Sequence, residues 1–253
     1  IGEMDSARSL MVFEQTIEDL QRLYNVKVEG LVCDAHPGYT TSRWARDQGL
    51  PLYTVFHHHA HASSAYYECA AGEPLLVFTW DGVGLGVDGT LWGGEALLGV
   101  PGKWQRVASM RPFHLPGGDK AGREPWRSAA ALCWESGREY AASPEDSSLI
   151  FEAWRRRVNS PQSTAVGRLF DAAAALTGVC TSASFEGQGP MQLEALCGKP
   201  AKHIEYTLER KDNILILNWE PMVSAMLDSA LSVSERASMF HASLAHAMLQ
   251  QAR

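Results

Sequence analysis

Apolar residues recur at spacings of three and four between Ser6 and Tyr24, at Leu10, Phe13, Ile17, Leu20 and Tyr24, which predicts an amphipathic helix started by Ser6. The period then changes. Val28 to Cys33 is a short apolar run ending at Asp34, Ser42 to Gln48 reads as a helix stopped by Gly49, and Leu52 to Phe56 is a second run ending at His57. Ala60 to Ala71 is alanine-rich and helix-compatible, although a helix can begin as early as His57. Leu75 to Trp80 is a third buried-type strand, ending at Asp81. Leu91 to Val100 and Gln105 to Met110 continue as sheet, with Asp88-Gly89 suited to a type I′ hairpin turn.

Beyond Pro125 the pattern turns helical, over Trp126–Glu135, Pro144–Val158, Val166–Leu176, Pro190–Cys197 and Ser234–Gln251. Ile214 to Trp219 is the lone strand signal there. The chain is therefore α/β, with a sheet-bearing part over residues 1–115 and a mainly helical part of the same domain over 116–253. No internal repeat or low-complexity linker interrupts it.

Composition narrows the class. Across 253 residues, 45% hydrophobic and 20% charged content is ordinary for a globular chain, so a sizeable core is expected. A net charge of −7 without a basic stripe speaks against nucleic acid, because phosphate backbones are bound by clustered Lys and Arg. No apolar stretch approaches the roughly 18 residues of a membrane span, and the first ten residues lack the pattern of a signal peptide. The five cysteines are scattered without a C-x-x-C pair, which fits reduced thiols and a soluble, cytoplasmic protein.

Four histidines fall within HHHAH, residues 57–61. On a helix, positions four apart share a face, so His57 and His61 can present two imidazoles to one metal. A helix starting near His57 places its positive end there, which keeps an imidazole neutral and available as a ligand. His58 and His59 point elsewhere and are candidates to contact substrate or orient a ligand. A third ligand is needed, and Asp81, at the end of VFTWDG, is the first candidate. Asp34 is the second, since Asp34, His57 and Asp81 all sit at strand carboxyl ends, where ligands of α/β sheets bind. Asp81 can equally be the opening residue of a turn.

DGVGLG offers Gly82, Gly84 and Gly86, whose backbone amides can approach a phosphate. Gly84, Gly86 and Gly89 spell G-x-G-x-x-G, but the strand-like TLWGGEALLGV follows where a dinucleotide fold requires a helix, so that reading is rejected. In HLPGGDKAGREPWRSA, Lys120, Arg123 and Arg127 gather around two glycines. This suits an anion site, or simply a charged loop before a helix at Pro125. In SFEGQG, Glu186 and Gln188 can hold a ribose or a substrate amide, or form a helix-start turn.

Taken together, VCDAHPGY, VFHHHAHASSAYYE, DGVGLGVDGTLWGGE, FHLPGGDKAGREPWRSA, GRLFDAAAALTG and SFEGQG resemble, in order and spacing, the HypF carbamoyltransferase family that matures NiFe hydrogenases. The resemblance covers nearly the whole chain. It implies an ATP-binding carbamoyl-transfer domain with a fold similar to the actin/Hsp70/sugar-kinase class. It further implies His57, His61 and Asp81 as ligands of a divalent metal, zinc or iron. The family makes carbamoyl-adenylate from carbamoyl phosphate and ATP and passes the carbamoyl group to the C-terminal cysteine of HypE, where it becomes a cyanide ligand of the active-site iron.

The resemblance also implies that Gly82, Gly84, Gly86, Glu186 and Gln188 line the nucleotide site and that Lys120 and Arg123 bind substrate or shape the transfer channel. Family chains usually carry acylphosphatase, zinc-finger and YrdC-like regions. They also have a glycine-lysine loop before this stretch and SGGVFQN and NDGG stretches after it. None is present, so the expectation is an incomplete transfer domain, truncated at both ends. Small-molecule O-carbamoyltransferases share the histidine pair, whereas SFEGQ and GRLFDA favour the hydrogenase-maturation family. A non-enzymatic docking piece is the remaining alternative.

Overall fold

The structure, a computed structural model, describes residues 4, 6–70, 72–141, 147–199 and 202–253. Helix α1, Ala7–Tyr24, starts where the pattern predicts, with the Ser6 hydroxyl accepting from the Ser9 amide at 3.1 Å, and ends at Asn25 in the left-handed region. Strands β1, Leu31–Asp34, and β2, Leu52–Val55, pair in parallel around helix α2, Thr40–Asp47. Helix α3 follows at once over His57–Glu68, so all four histidines lie in its first turns; Ala71 falls outside the described residues.

Strand β3 runs Leu75–Leu85, further than its apolar pattern suggests. It continues through Asp81 and the glycines with a register shift between Trp80 and Gly84. Asp81 is therefore not at a strand end but at an irregularity within a strand. The turn to β4, Leu91–Gly99, is also not type I′: Gly89 is left-handed but Asp88 is not, and the Gly89 amide donates to Gly86 O. This is a three-residue loop with glycine in the left-handed position.

Strands β5, Gln105–Met110, and β6, Phe113–His114, lead to helices α4, Trp126–Glu135, and α5, Ser147–Arg155. The predicted Pro144 start of α5 lies outside the described residues. Then come β7, Gln162–Ser163, α6, Val166–Leu176, and α7, Gln188–Ala195, with Pro190 tolerated in its first turn. The second part is less helical than its pattern suggests. Beside β9, Ile214–Asn218, lies an unpredicted strand β8, Thr207–Lys211, joined to it by Asp212-Asn213, both with positive φ as a type I′ turn requires. Helices α8, Glu220–Leu227, and α9, Val233–Ala252, complete the described chain, α9 opened by a reciprocal Ser232/Glu235 capping box.

Strands β3 to β9 form one seven-stranded sheet in the order β6-β7-β4-β5-β9-β8, with β3 on β4, so strands from both sides of residue 115 share it. Its core packs α4, α6, α8 and α9 on the sheet. Ala129–Ala131 face Ala172–Ala175, letting α4 and α6 approach closely around Leu132, Leu169, Trp219 and Phe240. Leu217 sits in this core with β9 paired on both sides, to Met110 and to Leu208. Leu217→Ala is expected to destabilise the chain by about 2–5 kcal/mol in urea unfolding; a loss near zero contradicts this placement.

Candidate metal centre

Parallel pairing of β1 with β2 sets Asp34 opposite Val55, two residues before His57, and the Ala35 amide bonds Val55 O at 2.9 Å. Asp34 is locked further by the His36 amide, 2.8 Å from its Oδ1, and by Ser42 Oγ, which donates to its carbonyl at 2.9 Å. Its Oδ2 lies 3.0 Å from His57 Nδ1. Asp34 thus stands on the far side of the imidazole from Asp81, as an orienting acceptor rather than a third donor.

On the near side three atoms converge. His57 Nε2 lies 2.8 Å from Asp81 Oδ2 and 3.2 Å from His61 Nε2, and His61 Nε2 lies 3.5 Å from Asp81 Oδ2. These three donors form a group compact enough to hold a metal ion. The Gly82 amide, 2.6 Å from Asp81 Oδ1, fixes the carboxylate from its other oxygen. His57 holds Asp81 down at about 2 despite burial, and Asp81, followed by Asp34, raises His57 against its own burial.

Glycine makes this approach possible. A Cβ on Gly84 would fall 2.7 Å from the His57 side chain, and one on Gly86 2.2 Å from Trp92 Nε1. The glycines expected to cradle phosphate therefore serve close packing first. The Gly82 amide is taken by Asp81 and the Gly86 amide by Thr90 O at 2.8 Å, so neither is free for a phosphate. Gly84→Ala is expected to displace His57 and cut divalent-metal affinity without removing a donor, as read by calorimetric titration; an unchanged affinity would show that the approach is not required.

The structure does not bring the other two histidines to these donors. His58 is fully buried against His57, His61 and Trp92, neither ring nitrogen has a partner, and burial lowers it to about 4. In this structure it packs as a buried, neutral ring beneath the three donors. His59 stacks edge-on with Phe56 and near Trp92, and burial lowers its basicity as well.

A second hub joins the remaining motifs. Buried Arg168 of α6 sends Nη2 to Glu186 Oε1 at 2.7 Å, and lies 3.4 Å from where a Gly82 Cβ would be and 3.3 Å from that of Gly122. It therefore hydrogen-bonds the SFEGQG loop and packs against both the β3 irregularity and the Gly118–Gly122 turn. Gln188 is spent locally, its Oε1 accepting from Ser184 N and Oγ at 2.7 and 2.9 Å. Lys120 and Arg123 are exposed on and beside the turn. Arg168 was not singled out in the sequence; its signal is an Arg and an Asp three apart in the otherwise apolar GRLFDAAAAL.

Asp171 lies beside Arg168, Oδ2 2.9 Å from Nη1 but without hydrogen-bond geometry, and burial pushes its carboxyl from the usual 3.8 up to about 6. The folded chain thus holds this proton more tightly than the unfolded one. The group's contribution to stability is complete below pH 3.8 and is lost as pH rises through about 6. Urea unfolding between roughly pH 4 and 6 should show that falling limb, flattened in Asp171→Asn; an identical limb in the variant contradicts the assignment.

A cleft of about 210 Å³ opens beside His61 and Asp81, lined by Ala65, Val77, Thr79 and Trp80. Among the described residues, no helix is long and apolar enough to cross a membrane.

The mixed sheet and its helical cover match a Kae1-like domain of the actin/Hsp70/sugar-kinase type of α/β fold. Family models agree in two pieces: "HypF Kae1-like domain" matches residues 1–68, and "Carbamoyltransferase, Kae1-like Domain, second subdomain" matches 77–253. The chain belongs to the HypF carbamoyltransferase family. It is 33% identical to carbamoyltransferase HypF of Synechocystis sp. over 98% of its own length and 36% of that protein. It is 32% identical to a carbamoyltransferase HypF homolog of Cupriavidus necator, over 98% of this chain and 68% of that one. Full-length HypF crystallised "in the phosphate- and nucleotide-bound form" superposes with a TM-score of 0.89 at 27% identity, covering all of this chain and 34% of that one. The chain spans about a third of the length of most of the relatives it matches.

Proposed function

We propose that this chain is the transfer domain of a HypF-type carbamoyltransferase, acting on carbamoyl-adenylate made from carbamoyl phosphate and ATP. The acceptor is the C-terminal cysteine thiol of a HypE-type maturation protein in the cytoplasm. One observation carries the reading: His57 Nε2, His61 Nε2 and Asp81 Oδ2 converge within 3.5 Å of one another in a chain of this family. Two imidazoles and a carboxylate suit a divalent first-row metal, zinc or iron, with an open position for substrate. When bound, such an ion supplies Lewis-acid stabilisation of charge on a substrate oxygen.

The chain's own residues do the rest. Asp34 keeps the proton on His57 Nδ1, which leaves the Nε2 lone pair for ligation. The Gly82 amide holds Asp81 in its donor orientation. Arg168 packs beside Glu186, Gly82 and Gly122, and this supports a role for its charge in drawing in substrate phosphate, with Lys120 and Arg123 adding positive charge from the exposed turn. In the transfer itself, the partner's thiol loses its proton to solvent, the thiolate sulfur bonds to the carbamoyl carbon, and that carbon's bond to the phosphate oxygen breaks, its electron pair leaving with AMP.

The cleft beside His61 is smaller than the ~300–1,000 Å³ of typical small-molecule pockets, which fits a site for the transferred group rather than the whole nucleotide. Asp34→Asn is expected to weaken metal binding about 10–100-fold while leaving all three donors in place; no change contradicts the orienting role. The function is tested in the full-length protein with labelled carbamoyl phosphate, ATP and the HypE-type partner. His61→Ala is expected to abolish label on the partner's thiol, and transfer at the unaltered rate would sink the proposal.

A further inference from the structure

A second cluster of metal donors lies outside the HHHAH site. In the extended segment before β8, Ile204 and Tyr206 are buried, so His203 and Glu205, two apart, face outward together. His203 Nε2 is 2.9 Å from Glu205 Oε1, and His246 Nε2, from α9, is 4.0 Å from Glu205 Oε2. The two imidazoles stack with centroids 4.0 Å apart and planes at 29°. One carboxylate thus faces two ring nitrogens, and the three donor groups lie close enough to share an ion.

The backbones that carry them are fixed. The Ile204 amide donates to Ser243 Oγ at 2.7 Å, and Ser243, itself buried, stands three residues before His246 on α9. Each donor is one residue, or one helical turn, from this bond. The backbone positions that carry the three donors are thus held together by the fold.

We infer that His203, Glu205 and His246 form a second divalent-metal site, independent of His57, His61 and Asp81. Its two imidazoles select zinc-like ions over magnesium or calcium, which require oxygen donors. Three protein ligands leave a position open to solvent or to a ligand from a partner. A bound ion ties the segment before β8 to α9 across more than forty residues of chain, so metal binding stabilises the packing of α9 by mass action.

The test separates this site from the first. In metal-stripped His57→Ala/His61→Ala chain, Zn²⁺ is expected to bind with one equivalent per chain by calorimetry and to raise the melting temperature. Adding His246→Ala should weaken that binding by about tenfold or more, as loss of one of three ligands requires. His203 and His246 are both solvent-accessible, so these changes spare the core, and circular dichroism checks that the fold persists. Co²⁺ in the His57→Ala/His61→Ala chain should give a spectrum without thiolate charge transfer. No Zn²⁺ binding to the His57→Ala/His61→Ala chain, equal binding after His246→Ala, or a thiolate band that places the ion at Cys197, which lies 3.2 Å from His241, would each overturn the inference.

Discussion

One imidazole ties the two sheets of this molecule together at the candidate site. His57 is gripped at Nδ1 by Asp34 at the end of the two-stranded sheet and at Nε2 by Asp81 from within the seven-stranded sheet. Both carboxylates must reach it, which requires β3 to pass against the start of α3 at a distance that tolerates no side chain at position 84. The register irregularity between Trp80 and Gly84 is the local form of that requirement. His61 then joins one helical turn later, because i and i+4 share a face. Fold and donor geometry are thus a single constraint.

Arg168 performs the corresponding task on the other side of Asp81. A guanidinium buried at the start of α6 is costly unless its hydrogen bonds are satisfied. Here Nη2 donates to Glu186 and Nη1 lies beside the Asp171 carboxyl, while Nε is left without a partner and the arginine packs against Gly82 and Gly122. Loops that are distant in sequence are held by one side chain emerging from the core.

Much of this was legible in the residues. The 3.6 period placed α1, α4 and α6, and HHHAH with the following strand identified the three donors that converge. What was not legible has particular causes. Asp81 was read as a strand end because apolar patterning stops at Trp80, whereas the glycines continue the strand through close packing that no periodicity records. Strand β8, TLERK, lies at the sheet edge, where polar residues remove the alternation that marks a half-buried strand. Its Asp212-Asn213 turn was the available signal. His58 reads like its neighbours, and only the tertiary packing around it, Trp92 included, makes it a buried, neutral ring.

The central claim is that His57, His61 and Asp81 hold one divalent ion. Anomalous scattering at the zinc edge, measured on crystals of the His203→Ala/His246→Ala chain soaked in Zn²⁺, tests it most directly. A peak bonded to His57 Nε2, His61 Nε2 and Asp81 Oδ2 at about 2.0–2.2 Å is predicted. Crystals showing bound zinc elsewhere and none between these three atoms would contradict it.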